Sequence, residues 1–137
     1  MSEKHSGGCL CGAIRFEASA PIGNINQCHC LNCQKASGAG ASANVLMDTA
    51  ALRFIKGEPK IFVDTADSGT KLNRGFCGDC GSPLFSQRQN MMGKLVLKVG
   101  ALDDSSGSGI VMNIWTSSAR PWVLTDCLLY TSDAADE

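Results

Sequence analysis

The chain has 137 residues, 44% of them hydrophobic and 18% charged, with 12 basic against 13 acidic side chains and a formal charge of −1. That length supports one domain with a modest core, and the near-neutral balance argues against nucleic acid or an anionic membrane recognised mainly by charge. No apolar run approaches the roughly 18–20 residues needed to cross a bilayer. Residues 1–8 lack the apolar stretch of a secretory signal, so a cytoplasmic location is expected. Eight cysteines are the anomaly. In an intracellular-looking chain they point to metal binding or catalysis before disulfides.

A period-two pattern runs through the chain. Ile14-Arg15-Phe16-Glu17 alternates apolar with charged after a Gly7-Gly8 turn, as a half-buried strand should. Further short strands are predicted at 24–30, 41–46, 52–55, 60–63, 71–76, 84–87, 94–99 and 110–115. A short helical turn is expected at 31–36. Turn formers fill the breaks: Pro21 and Gly23, Gly57-Glu58-Pro59, Asp67-Ser68-Gly69, and 103–109. No stretch sustains a 3.6-residue period. The expected fold is therefore mainly β, with short sheets and little helix. At 6% aromatic content, bound metal is expected to help hold so small a core.

Seven of the cysteines fall into three groups: Cys9-x-Cys11, Cys28-x-Cys30-x-x-Cys33 and Cys77-x-x-Cys80. In an extended strand, residues i and i+2 share a face, so Cys9 and Cys11 can present their sulfurs together. Cys77 and Cys80 flank a tight turn with Gly78 and Gly81, which accept backbone angles other residues resist. Two pairs supply the four ligands of a closed structural zinc. Cys28, Cys30 and Cys33 are three thiols with a fourth place open, the catalytic arrangement for zinc. His29 alternates to the opposite face and is not expected as a ligand. A divalent zinc with three thiolates carries a net −1, which suits activating a soft thiolate more than generating hydroxide. A blander reading stays open: Cys30/Cys33 with Cys77/Cys80 is also a single zinc ribbon, leaving Cys9, Cys11 and Cys28 unligated.

These motifs resemble a known family. Gly7-Gly8-Cys9-Leu10-Cys11-Gly12-Ala13-Ile14-Arg15-Phe16, the stretch from Cys28-His29-Cys30 to Gly38, and Phe76-Cys77-Gly78-Asp79-Cys80-Gly81-Ser82-Pro83-Leu84-Phe85 carry the likeness, with Ile114-Trp115-Thr116 and Arg120-Pro121-Trp122 completing it. The likeness is to the glutathione-dependent formaldehyde-activating family (S-(hydroxymethyl)glutathione synthase and centromere protein V-like proteins), and it covers about residues 7–126. It implies an Mss4-like fold of coiled antiparallel sheets around zinc, and a carbon–sulfur lyase joining a thiol such as glutathione to formaldehyde or a related small aldehyde. It also implies two zinc ions: one structural at Cys9, Cys11, Cys77 and Cys80, one catalytic at Cys28, Cys30 and Cys33. Members often carry histidine before the Ile-Trp pair. This chain has Asn113 there, and that histidine's role is not carried over.

Gln34 and Lys35, directly after the ligand turn, are candidates to bind a substrate carboxylate or polarise the carbonyl, against the plain reading that both are exposed turn residues. Arg74 is placed beside the second knuckle, Trp115 and Trp122 in core or pocket wall, and Arg120 near the rim. One rival is a non-catalytic zinc-binding interaction module of the same fold. Another is a redox enzyme, which needs a free low-pKa cysteine that seven ligands do not leave. The eighth cysteine, Cys127, opens the segment 127–137, which looks like the in-frame translation of a sequencing adapter and is set aside from the domain at 1–126. Without it the chain carries twelve basic and ten acidic side chains.

Overall fold

The computed structural model describes residues 3–123. The expected adapter-like segment 127–137 lies outside the described residues. Ten strands follow one another along the chain: β1 (His5–Gly8), β2 (Arg15–Ala18), β3 (Asn24–Cys28), β4 (Ser42–Asp48), β5 (Leu52–Lys56), β6 (Lys60–Thr65), β7 (Lys71–Phe76), β8 (Pro83–Arg88), β9 (Lys94–Lys98) and β10 (Gly109–Ile114). Among the described residues the one α-helix is α1 (Leu31–Ser37), between β3 and β4. No helix among these residues is long and apolar enough to cross a membrane. The mainly β class with little helix, read from the period-two pattern, holds.

The chain divides into two compact units. The first comprises, among the described residues, 3–21 and 46–106. In it β2 lies between β1 and β5, antiparallel to both, and β6 to β9 form an antiparallel meander. The alternation of β2 works as expected. Phe16 and Ala18 are fully buried, while Arg15 and Glu17 keep partial solvent access. Phe16 meets Phe54 edge to face at 6.0 Å between ring centroids, and Phe54 leans on Phe85 at 6.1 Å, distances at which aromatic pairs are favourable. Leu84 and Leu97, on β8 and β9, complete this core.

One expectation about this unit needs correction. Gly7 and Gly8 are not a turn but the end of β1, paired with Phe16 and Arg15. A Cβ on Gly7 would fall 2.5 Å from the Phe16 ring, so glycine is there to let the strand lie against a buried aromatic.

The second unit holds, among the described residues, 22–45 and 107–123. Here β3 runs antiparallel to β4 and parallel to β10, with Cys28 opposite both Ser42 and Ile114. That parallel pair is a departure from purely antiparallel sheets, and alternation in a sequence carries no sign of strand direction. Ile22, His29, Val45 and Asn113 are buried in this unit.

Candidate metal centres

Each unit carries one cysteine cluster. In the first, Cys9, Cys11, Cys77 and Cys80 bring their sulfurs within 4.8 Å of one another. Both pairs sit at hairpin tips. Cys9 and Cys11 belong to the β1–β2 connection, where the Cys9 amide donates to Ile14 O and the Gly12 amide to Cys9 O. This corrects the expectation of an extended Cys9-x-Cys11 strand: the pair is turned, and its sulfurs still lie 3.6 Å apart. Cys77 and Cys80 occupy the β7–β8 tip, closed by the Cys77 amide on Ser82 O and the Gly81 amide on Cys77 O.

The two tips are alike in chemistry. The Ile14 amide donates to Cys9 Sγ at 3.2 Å and the Asp79 amide to Cys77 Sγ at 3.4 Å. Gly12 and Gly81 hold φ of 82° and 80°, in the left-handed region, and a Cβ on either would meet nothing. The requirement is for backbone angle alone, not for space. Gly12→Ala and Gly81→Ala should each therefore cost about 1–2 kcal/mol, read as a lower denaturation midpoint at unchanged metal content.

The tips are joined by Leu10, whose amide donates to Ser82 Oγ at 3.0 Å, and by Cys11 Sγ, 3.8 Å from Cys77 Sγ. Four thiolates around a tetrahedral zinc, each at about 2.3 Å, would be spaced by about 3.8 Å. The observed 3.6 and 3.8 Å edges fit such an ion. So close together the thiols cannot ionise alike. The hydroxyl and amide of Ser82, with the Cys11 amide, hold Cys80 down to about 5. On Cys11 the Ala13 amide favours the thiolate, but Cys9, the other thiols and desolvation outweigh it and push Cys11 up to about 12. A divalent cation at the centre would satisfy all four as thiolates. Ser82 is a contributor that spacing of cysteines does not reveal; the only hint is a hydroxyl two residues after the last thiol.

The second cluster is Cys28, Cys30 and Cys33. Cys28 ends β3, Cys30 caps α1 by accepting the Cys33 amide at 3.3 Å, and Cys33 lies in the first helical turn. Cys28 and Cys33 are buried, whereas Cys30 is half-buried. The thiols of Cys30 and Cys33, with burial, push Cys28 upward. Cys30 is also raised: the hydrogen bond from Cys28 favours its thiolate, but Cys33 and burial prevail. A trio of this kind, two thiols buried and one half-buried, is costly to ionise without a cation and well suited to one. Two clusters can thus hold metal ions, and none of the seven cysteines is disulfide-bonded. Cys30/Cys33 and Cys77/Cys80 fall in different clusters, an arrangement that fits two centres and not the single ribbon.

His29 stands apart from the sulfurs. It is wholly buried and its Nε2–H donates to Asn113 Oδ1 at 2.9 Å, while Nδ1 has no partner among the described residues. Asn113, singled out as a departure from the usual histidine, is therefore the partner of His29 across the parallel β3–β10 pair. At the end of β10, Trp115 takes a left-handed φ of 59°, unusual for a bulky residue.

The residues proposed around the ligands are placed unequally. Gln34 is not an exposed turn residue: it is buried and donates from Nε2 to His29 O at 2.8 Å and Ser118 O at 2.9 Å. Its Oε1 accepts from Arg120 Nε at 2.6 Å. Both amide donors are consumed in the fold, so direct substrate binding is not its first task. Lys35 is exposed on α1. Arg74 is engaged by Asp64 at 2.8 Å. Trp122 is exposed, not core, and its ring covers Gly40, where a Cβ would lie 2.8 Å from the indole.

With this geometry established, comparison with known proteins is decisive for the family. Residues 4–118 match the family described as glutathione-dependent formaldehyde-activating enzyme. The chain belongs to that family. Among solved structures, it is similar to a crystal structure of a Rhodobacter sphaeroides protein, a structural-genomics target, at a TM-score of 0.59 and 20% identity, over 74% of this chain and 90% of that one. At that identity the likeness concerns the fold.

Proposed function

We propose that the chain is a zinc-dependent carbon–sulfur lyase that joins a thiol, glutathione or a similar one, to formaldehyde or a related small aldehyde. The observation that carries this reading is the inequality of the two clusters: four cysteines in the first, three in the second, with His29 turned to Asn113 instead of to the sulfurs. Family membership supports it.

In this reading Cys9, Cys11, Cys77 and Cys80 hold a structural zinc, and Cys28, Cys30 and Cys33 hold a catalytic one. Zinc held by three thiolates supplies a remaining position for a thiol, a lowered thiol pKa and Lewis acidity. The chain's own side chains do the rest. Buried Cys28 and Cys33 keep water from one side, while half-buried Cys30 leaves the side from which substrate approaches. The substrate sulfur attacks the aldehyde carbon, a C–S bond forms as the C=O π bond opens, and the oxygen takes up the proton the thiol gave up, giving the S-hydroxymethyl adduct. Holding both partners adjacent removes the entropic cost of their encounter. Exposed Lys35 is a candidate to attract the acidic parts of the thiol. A reducing cytoplasm, where cysteines stay reduced and free of disulfides, suits this chemistry.

Exchange NMR on glutathione, formaldehyde and zinc-loaded protein tests the proposal. Acceleration of adduct formation over the uncatalysed background is expected. Its absence, with a full complement of two zinc ions bound, would favour the non-catalytic binding module of the same fold.

A further inference from the structure

The second unit is unusual in its charge. Its described residues, 22–45 and 107–123, contain no aspartate or glutamate, and two permanent cations, Lys35 and Arg120. Arg120 has no ion pair among the described residues; its guanidinium donates from Nε to Gln34 Oε1 at 2.6 Å. An exposed arginine without a carboxylate would ordinarily be loose. This one is held from both ends.

The side chain is gripped by Gln34, whose own amide cannot rotate, because Nε2 is committed to the carbonyls of His29 and Ser118. With Nε2 so fixed, Oε1 can only face Arg120. The backbone is held as well. Pro121 follows directly and restricts Arg120 to extended angles, and the Val123 amide donates to Arg120 O at 3.0 Å, closing a turn with proline at its favoured second position. Since Nε is spent on Gln34, the terminal Nη groups are the donors that remain. Those groups make the fork that grips a carboxylate in a bidentate manner.

The grip is tied to the cysteine cluster through short covalent paths. Gln34 follows Cys33 immediately, and the carbonyl it holds belongs to His29, the residue between Cys28 and Cys30. A buried glutamine thus links an oriented guanidinium, without a carboxylate partner among the described residues, to the loop that carries all three thiols.

We propose that Arg120 forms a carboxylate-binding subsite for the thiol substrate, with Gln34 as the residue that positions it. The inference rests on the proposed thiol–aldehyde reaction and narrows it: the thiol is an acid. Gln34, considered from the sequence as a direct substrate contact, acts through Arg120.

Calorimetric titration of the zinc-loaded protein with glutathione and with its diethyl ester tests this, since both carry the same thiol and differ in their carboxylates. Glutathione should bind about 10- to 100-fold more tightly than the ester, the range of one good charge-assisted bidentate contact. Arg120→Ala should abolish that ratio and leave ester binding unchanged, and Arg120→Lys, which keeps charge but not the fork, should retain part of it. Gln34→Met, which keeps the charge and frees the guanidinium, should lose about 3- to 10-fold of the ratio while zinc content stays at two. Equal binding of acid and ester, or a full ratio in Arg120→Ala, would overturn the subsite while leaving the thiol–aldehyde reading intact. Failure of both thiols to bind would overturn that reading itself, and the subsite with it.

Discussion

On the proposed assignment of one zinc to each cluster, Cys77→Ser should cost the protein one of its two zinc ions and the fold of the first unit. Cys77 is almost wholly buried at the β7–β8 tip, where its sulfur accepts the Asp79 amide and lies 3.8 Å from that of Cys11. The cluster it belongs to joins two hairpin tips, which the Leu10–Ser82 hydrogen bond also links. Structural zinc contributes on the order of 10–16 kcal/mol in small zinc-binding peptides, whereas a whole domain is stable by about 5–15 kcal/mol. Losing even a fraction of the first figure is enough to unfold the unit. Elemental analysis and thermal melting followed by circular dichroism would show it. Two retained zinc ions with an unchanged melting temperature would exclude a structural role for this cluster.

Cys30→Ser should have the opposite profile: a folded protein with no catalysis. Cys30 is the N-cap of α1, its sulfur accepting the Cys33 amide. Serine is among the preferred capping residues, so its hydroxyl can replace that hydrogen bond and the helix should survive. What serine cannot replace is a soft thiolate ligand. Even changes behind a metal's direct ligands typically cost 10–100-fold in affinity or activity, so loss of a ligand should remove more than about 100-fold of any adduct acceleration. The first cluster should keep its zinc and the melting temperature should move by only a few degrees. Full acceleration in Cys30→Ser would show that the chemistry lies elsewhere.

Much of this architecture was legible from residue order because its signals are local. Alternation in 14–17 and 71–76 reports a strand with one face inward, and β2 and β7 are found there. The helical turn expected at 31–36 is α1, ending at Gly38 in a left-handed cap. Cysteine spacing is equally local: a knuckle needs two thiols and a glycine within five residues, as at Cys77–Gly81, whereas the same kind of turn at Cys9–Gly12 was expected as an extended strand. What residue order hid depends on partners distant in the chain. Gly7-Gly8 resembles a turn until Phe16 is seen against it. Gln34 resembles a surface residue until Ser118 and Arg120, 84 and 86 residues away, enclose it. Asn113 looked only like a missing histidine until His29 was found to be its partner.

By itself, then, the sequence determined that the protein is mainly β and of the glutathione-dependent formaldehyde-activating family, with its cysteines in clusters, because strand periodicity and thiol spacing are written in neighbouring residues. Only the tertiary structure decided which thiols gather, since Cys9/Cys11 and Cys77/Cys80 are brought together by hairpins 66 residues apart. It also decided that β10 lies parallel to β3, and that a buried amide aims Arg120. Each of those depends on long-range contacts, and no local pattern encodes which distant groups a chain will bury against one another.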